Sequence, residues 1–361
     1  MLRFFIVFLF ISIALSGQDP DTLLTHILKT ENDTECVNQL YRYGLDLADK
    51  NPKLAFTMAK NCERISLRTN SKKHISYANN LTGVLYTKQG HYKRALGYIE
   101  KYLAVQKELS NSLGIAIGYR NLGNIYLRLK QFRDAEDFFL KALDHYNSMN
   151  NKVEVANELL NIGVIKHLEG QFDAAMQNYQ KAFETGKELN NYNIKEISLN
   201  NLAQVFLDKG DLEKALACNY DALELSELMG LDVNVTDYHL SIAEIALEQK
   251  NISLAEENLN SAIMLCNKIE YPTGRSHYYN LVSELYRQKN DHKAAYENLR
   301  RYVQLNDSLL SLRHEEPVID LEETDKPIYN CSKTTIKNTW LLTLLSLILI
   351  IVPFVLIRYK R

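Results

Sequence analysis

The segment Asn121-Leu-Gly-Asn-Ile-Tyr126, followed by Ala135, Phe139 and Ala142, is the best-preserved copy of a repeat that runs along this 361-residue chain. The most regular mark of the repeat is an alanine every 40 residues, with no insertion or deletion: Ala55, Ala95, Ala135, Ala175, Ala215, Ala255 and Ala295. A fixed period of about 20 to 50 residues is typical of solenoids, in which each repeat buries its apolar face only against its neighbours. The period therefore favours an extended binding surface over an enzyme pocket.

Each repeat is predicted to be a helical hairpin. Small residues occupy the positions of Gly123 and Ala135, where two antiparallel helices would approach closely, and apolar residues recur downstream at three- and four-residue spacing. Gly90, Gly170 and Gly210 stand near predicted helix ends, where a left-handed residue closes a helix. With only 14 Gly and 6 Pro, the chain is predicted to be all-α.

This pattern resembles the tetratricopeptide repeat (TPR) family over about residues 36–312. The resemblance rests on a small residue followed by an aromatic residue, and then on Ala, aromatic and Ala at fixed spacings. It implies a right-handed α-solenoid, a TPR superhelix of about seven hairpins, in which the first hairpin, from Cys36 to Cys62, is degenerate. The early Trp and the closing Pro of the family are missing. The period exceeds the usual value of about 34 residues, which is similar to the lengthened helices of kinesin light chain-like repeats.

The resemblance implies a groove on the first helix of each hairpin, because in TPR proteins this helix lines the concave face. The candidate groove residues are Asn80, Lys88, Arg120, Asn121, Asn124, Arg128, Asn161, Asn200, Asn201, Gln204, Asp208, Glu244, Glu248, Asn280 and Glu284. An asparagine amide both donates and accepts, so a row of them can clamp an extended peptide backbone of any sequence. The alternative for Asn121, Asn161 and Asn201 is that they hydrogen-bond neighbouring helices and hold the superhelix together.

The candidate groove also carries a charge gradient along the chain. Basic residues come first and acidic residues last: Lys88, Arg120 and Arg128, then Asp208, Glu244, Glu248 and Glu284. The gradient predicts a protein or peptide ligand whose two ends carry opposite charge, and such patterns tune on-rate and orientation more than affinity. Ordinary solvated helix faces are the alternative.

The two ends of the chain predict a single-pass membrane protein. Residues 1–16 combine one basic residue, a short apolar run and a small-x-small cleavage pattern, which favours a cleaved signal peptide over an uncleaved anchor. Residues 339–357 contain no charge and are long enough to cross a hydrocarbon core of about 30 Å as a C-terminal transmembrane helix. The basic tail, residues 358–361, would then lie in the cytoplasm.

Two further segments complete this layout, a lead-in at residues 17–35 and an acidic juxtamembrane connector at residues 313–338. The repeat array is predicted to lie outside the cytoplasm, in the periplasm if the source is Gram-negative. The layout resembles the sensor half of bacterial membrane regulators that carry a histidine kinase or a helix-turn-helix DNA-binding domain after the span. A membrane signalling partner is therefore a further expectation.

Neither catalysis nor a cofactor is predicted. The sequence has no Gly-rich phosphate loop, no Gly-x-Ser-x-Gly and no His-Glu-x-x-His, and a formal net charge of −2 gives no electrostatic case for nucleic acid. No metal-ligating pattern is present either. Cys36 and Cys62 open and close the first hairpin, so they could form a disulfide in an oxidising compartment, with free buried thiols as the alternative.

The sequence thus predicts a membrane-anchored, non-catalytic protein–protein interaction module with a scaffold or signal-input role. The alternative is a truncated or split signalling receptor whose output domain lies on a missing or separate chain.

Overall fold

The computed structural model describes residues 20–28, 30 and 32–315, and all the regular secondary structure in these ranges is α-helical. The helices are α1 (Pro20–Leu28), α2 (Asp33–Asp46), α3 (Pro52–Thr69), α4 (Lys72–Lys88), α5 (Tyr92–Glu108), α6 (Ser112–Arg128), α7 (Phe132–Ser148), α8 (Lys152–Leu168), α9 (Phe172–Glu188), α10 (Tyr192–Asp208), α11 (Leu212–Met229), α12 (Asp232–Glu248), α13 (Ile252–Lys268), α14 (Pro272–Gln288) and α15 (His292–Glu315). The all-α prediction is confirmed.

The chain divides into two compact units between Ile165 and Lys166, within α8. The N-terminal unit contains the hairpins α2–α3, α4–α5 and α6–α7, and the C-terminal unit contains α10–α11, α12–α13 and α14–α15. The boundary falls within α8, and α9 lies in the C-terminal unit. In each unit consecutive helices pack together, and first helices of successive hairpins also touch, as α4 and α6 or α12 and α14 do. The fold is an all-helical solenoid, as the period predicts.

The alanine ladder marks the contacts inside the hairpins. Ala95 and Ala135 in the N-terminal unit and Ala215 and Ala255 in the C-terminal unit have no exposed surface. The approach is tightest at Gly123, where an added Cβ would lie 2.7 Å from the Phe139 ring. The repeat register therefore fixes how closely the two helices of a hairpin can pack.

The helix ends follow the prediction at the glycines and extend it elsewhere. Gly90, Gly170 and Gly210 all have positive φ. The same place in other repeats holds non-glycine residues in the left-handed region, such as Lys130 with φ 60° and Lys250 with φ 58°. Glycine is thus preferred but not required at this turn.

The predicted lead-in contains a helix that packs on the first hairpin. Ile27 of α1 belongs to one buried cluster with Val37, Leu40, Cys36 and Cys62. Both cysteines are buried free thiols in this structure, and burial raises the pKa of Cys62 to about 12, which disfavours the reactive thiolate. Their shared cluster agrees with the predicted hairpin geometry, and a disulfide between them stays a prediction.

Within the part of the chain that the structure describes, no helix is both long and apolar enough to cross a membrane. The predicted signal at 1–16, the predicted span at 339–357 and the tail at 358–361 lie outside that part, as does most of the 313–338 connector.

Candidate functional site

The candidate groove residues lie on first helices in both units. Those of the N-terminal unit are on α4, α6 and α8: Asn80, Lys88, Arg120, Asn121, Asn124, Arg128 and Asn161. Those of the C-terminal unit are on α10, α12 and α14: Asn200, Asn201, Gln204, Asp208, Glu244, Glu248, Asn280 and Glu284. Each unit therefore presents its own first-helix face, defined by these residues.

Two asparagines of the N-terminal face bind neighbouring helices. Asn80 is 2% exposed, and its Nδ2 donates to the Tyr41 hydroxyl at 2.6 Å. Asn121 Nδ2 donates to Asn80 Oδ1 at 2.7 Å, so one chain of hydrogen bonds joins α2, α4 and α6. For Asn80 and Asn121 the structure favours the structural role over the ligand-binding role.

Arg120 is the centre of a partly buried ionic network. Its guanidinium donates to the carboxylates of Glu154 and Glu158 on α8 and lies 4.7 Å from the ring centroid of Tyr146. Glu158 has no exposed surface, and Asn161 Nδ2 donates to its second oxygen at 3.3 Å. Burial raises the pKa of Glu158 against the opposing effect of Arg120. Arg120 therefore balances the buried charge of Glu158. The repeat pattern did not indicate Glu158 as its partner.

The outer edge of the same face is more open. Lys88 is exposed, and its Nζ donates to the Asp49 carboxylate at 2.6 Å. Asn124 is half-buried and Arg128 is exposed at the end of α6. Two of the three early cations of the predicted charge gradient thus already have carboxylate partners inside the N-terminal unit.

The face of α10 in the C-terminal unit holds an unsatisfied polar group. Asn200 is exposed and Asn201 is half-buried. Among the described residues, no hydrogen-bond donor reaches the buried Oε1 atom of Gln204. Asp208, one turn further along, contacts His167, with 2.6 Å between Oδ2 and Nε2. Buried acceptors without a partner are uncommon in folded proteins, but this atom has almost no exposed surface, so the polar groups of the face that a ligand can reach are those of Asn200, Asn201 and Asp208.

The remaining acidic residues of this face have different surroundings. His277 Nε2 lies 3.3 Å from Glu244 Oε2, between α14 and α12. Glu284 accepts from Arg287 Nε at 2.6 Å within α14. Glu248 and Asn280 are exposed. The late, acidic half of the predicted gradient therefore also has internal partners.

A second buried carboxylate escaped the sequence analysis. Glu196 of α10 is 3% exposed, and its Oε1 accepts from Asn234 Nδ2 at 3.0 Å, from Ser226 Oγ at 3.5 Å and from the Tyr238 hydroxyl. The equivalent positions of other repeats hold small residues such as Ala116. A glutamate at a position where the other repeats have small residues is the sequence signal that could have identified it.

Asp237 on α12 is a further perturbed acid in the C-terminal unit. Burial raises its pKa from 3.8 to about 6, while the Tyr271 hydroxyl, which donates to Oδ2 at 3.2 Å, and His277 oppose the shift. Titratable groups with shifted pKa values mark candidate sites only when they converge.

No group of three or more His, Cys, Asp or Glu side chains is placed to hold a metal ion in the described ranges.

Residues 76–319 of this chain match the family model of the MalT-like TPR region. The chain belongs to this family. The match covers the array from α4 to α15, so the MalT-like TPR chain carries the family repeat in both units.

Two curated relatives resemble parts of this MalT-like TPR chain. A Response regulator aspartate phosphatase J of Bacillus subtilis (strain 168) is 24% identical over 42% of this chain and 39% of its own length. A Tonsoku-like protein of Drosophila melanogaster is 24% identical over 51% of this chain and 15% of its own length. The chain thus spans well under half the length of the curated relatives it matches.

Two solved structures share the fold at low sequence identity. A Signal Transduction ATPase with Numerous Domains protein with a TPR sensor, from Pyrococcus horikoshii, has a TM-score of 0.65 at 16% identity over 81% of this chain and 45% of that chain. NprR in complex with its cognate peptide NprX has a TM-score of 0.52 at 19% identity over 78% of this chain and 82% of that chain.

Proposed function

We propose that this MalT-like TPR chain is a non-catalytic protein-interaction module whose first-helix faces bind a protein or an extended peptide. The observation that carries the proposal is the α10 face, where exposed Asn200 and half-buried Asn201 present side-chain amides, with half-buried Asp208 two turns further along. A side-chain amide both donates and accepts, so Asn200 and Asn201 can pair with the backbone of a bound peptide. The peptide complex of NprR, which shares the fold, supports the same ligand class.

A peptide-display selection against the full chain tests this proposal. The matched variants are Asn200→Trp on the first helix α10 and Asn260→Trp on the second helix α13, because both asparagines are exposed. A bulky ring at position 200 should block selected peptides and weaken binding about tenfold or more, which is about 1.4 kcal/mol. The Asn260 variant should bind like the parent. Equal binding by both variants would move the site away from the first-helix face.

The proposal excludes phosphatase activity, although one relative is named a phosphatase. Because that relative is matched over only 39% of its length, its activity does not transfer with the likeness. The full chain should not accelerate hydrolysis of acetyl phosphate or of a phosphorylated receiver domain. Turnover that survives repurification would contradict this part of the proposal.

Membrane attachment is also part of the proposal. The sequence supports a cleaved signal at 1–16 and a single span at 339–357 that leaves residues 358–361 in the cytoplasm and the repeats outside it. N-terminal sequencing of the mature protein should begin at Gly17. External protease on sealed cells should digest the repeats and spare an epitope tag placed after Arg361; a protected array would contradict this orientation.

A second candidate is the sensor part of a signalling receptor whose output domain lies on another chain or segment. The observation that favours it is the TPR sensor named in the Pyrococcus horikoshii protein, of which the match covers 45%. An antibody against residues 36–312, applied to the natural source, distinguishes the two. A product clearly larger than this 361-residue chain, or a co-purifying kinase or DNA-binding subunit, would favour the receptor.

A further inference from the structure

A cavity of about 530 Å³ opens in the C-terminal unit between α9, α10 and α11. Leu199, Phe206 and Cys218 form much of its apolar wall, and Asp173 and Asp221 add carboxylates. Its volume falls in the range of about 300 to 1,000 Å³ that is usual for ligand pockets. The cavity therefore has the size of a binding site.

This cavity is separate from the first-helix face of the same unit. Leu199, Leu202 and Phe206 recur at three- and four-residue spacing and share one side of α10. Asn200, Gln204 and Asp208 lie on the other side of that helix, because each residue turns the helix by about 100°. A ligand in the cavity would leave the α10 face unoccupied.

The equivalent place in the N-terminal unit is filled by an aromatic ring of the chain itself. Two repeats before Cys218 stands Phe138, whose ring stacks 6.1 Å from that of Tyr119 and 5.3 Å from that of Tyr126. Lys141 Nζ lies 4.8 Å from the centroid of the Phe138 ring. The hairpin α6–α7 thus fills this place with a three-ring stack and a cation.

A ring beside a cation recurs at this place in other hairpins. In α4–α5, the Tyr98 ring lies 5.6 Å from Tyr86, with Lys101 Nζ 5.1 Å from its centroid. In α14–α15, the guanidinium of Arg301 lies 5.7 Å from the Tyr279 ring. A ring beside a cation thus occupies this place in three hairpins, α4–α5, α6–α7 and α14–α15.

The hairpin α10–α11 lacks both members of this pair. Cys218 replaces the ring of Phe138, Leu199 replaces that of Tyr119, and the acid Asp221 replaces Lys141. The short side chains leave the volume open, while Phe206 keeps one aromatic wall. The charge at the rim is inverted relative to the N-terminal unit.

Asp221 is the charged group of the cavity that can select a basic ligand, because the neighbouring charges are paired within the chain. Asp173 accepts from Lys209 Nζ at 2.8 Å. Lys214 Nζ lies 5.5 Å from the Phe206 ring but is paired with Asp211 at 2.6 Å. Asp221 is exposed at the rim, so a basic group of a ligand can reach it.

We propose that this cavity binds an aromatic side chain of a peptide or protein ligand and that Asp221 pairs with a basic residue of the same ligand. The ligand supplies in the C-terminal unit the ring and the cation that Phe138 and Lys141 supply in the N-terminal unit. The ring stacks on Phe206 beside Cys218 and Leu199. The site is thus a second recognition point, on the side of α10 away from the candidate groove.

Saturation-transfer NMR with the full chain and N-acetyl-Phe-Arg-amide tests the proposal, with N-acetyl-Phe-Glu-amide as the charge-reversed probe. Cys218→Phe fills the cavity, and Cys218→Ala is its matched control because it leaves the cavity open. Asp221→Lys restores the charge of the N-terminal unit. Asn200→Trp serves as the control for the first-helix face.

The parent, Cys218→Ala and Asn200→Trp should bind N-acetyl-Phe-Arg-amide alike, and Cys218→Phe should bind it about tenfold more weakly. Asp221→Lys should weaken this probe about threefold, the size expected for a partly exposed ion pair, and should strengthen N-acetyl-Phe-Glu-amide. A specific site of this kind should bind its probe with a dissociation constant below about 10 mM. Absence of binding to the parent at that probe concentration would therefore overturn the proposal. So would equal binding by Cys218→Phe and Cys218→Ala, or an Asp221→Lys variant that does not change the preference between the two probes.

Discussion

The two units place a buried glutamate on a first helix and satisfy it in different ways. In the N-terminal unit, Glu158 faces the guanidinium of Arg120. In the C-terminal unit, Glu196 accepts hydrogen bonds from the neutral groups of Tyr238, Asn234 and Ser226. The same repeat therefore fixes the backbone contacts through its small residues and leaves the chemistry between successive helices free to differ.

The largest loss of stability should follow when the cation that pairs with a buried glutamate is removed. Arg120→Met leaves the fully buried Glu158 without its cation and should lower the free energy of unfolding by about 3–5 kcal/mol. Tyr238→Phe removes one neutral donor from Glu196 and should cost about 1–2 kcal/mol. Urea unfolding followed by circular dichroism measures both changes.

Lys209→Met is the matched control for the loss of a cation. Its partner Asp173 has a side chain that is 85% exposed, so this variant should change the free energy of unfolding little, because a solvated ion pair contributes little to stability. The contrast between the units fails if Arg120→Met costs no more than Tyr238→Phe or Lys209→Met.

Exchanging the residues at the equivalent positions 138 and 218 should change the free energy of unfolding in opposite directions in the two units. Phe138→Cys removes the central ring of the stack in the N-terminal unit and should cost about 2–3 kcal/mol. Cys218→Phe buries a ring in the open cavity of the C-terminal unit and should gain about 1 kcal/mol. Thermal unfolding of the two single variants decides the matter, and a destabilised Cys218→Phe protein would show that the cavity cannot accept a ring.

The pH dependence of stability should distinguish the C-terminal unit through Asp237. Because its folded pKa, about 6, lies above 3.8, its protonated form contributes stability that is complete below about pH 4 and is lost as the pH rises through about 6. Asp237→Asn keeps an acceptor for Tyr271 without the charge and should gain about 2 kcal/mol at pH 7.5. Unfolding curves at pH 4 should show little difference, and a gain that is the same at both pH values would contradict the assignment.

The smallest effect concerns the close approach inside a hairpin. The N-terminal unit has Gly123 opposite Phe139, whereas the C-terminal unit has Ala203 opposite Asn219. Gly123→Ala places a Cβ 2.7 Å from the Phe139 ring and should cost about 1 kcal/mol after the helix propensity of alanine is included. Gly97→Ala, where nothing lies within 4 Å of the added atom, should instead gain about 0.5–1 kcal/mol. Melting temperatures that move in the same direction would remove the steric explanation.

The sequence predicted the features that every repeat must share. The alanine period, the hairpins and the left-handed turns at Gly90, Gly170 and Gly210 follow from backbone geometry, and the structure has them. The positions of the candidate groove residues on first helices follow from the same register. Repeated constraints are visible in a single sequence because each copy confirms the others.

The partners between successive helices were not predictable in the same way. Nothing in the register selects Glu158 rather than another acid as the partner of Arg120, and the bond of Asn80 to Tyr41 depends on side-chain rotamers. The cavity is not marked by an exception in the repeat, because the position of Cys218 is an aromatic ring only at Tyr98 and Phe138 and varies in the other repeats. Comparing equivalent positions of the repeats would have located Glu196, which stands among small residues.

Photo-crosslinking tests the central claim, that first-helix faces bind the ligand, most directly. A benzophenone amino acid replaces Asn200 on α10, Asn280 on α14 or Asn260 on α13, all of which are exposed, and each full-length variant is irradiated with a peptide selected on the parent chain. The account predicts crosslinks from positions 200 or 280 and none from position 260, and unlabelled peptide should abolish them. Crosslinks from position 260 alone would contradict it.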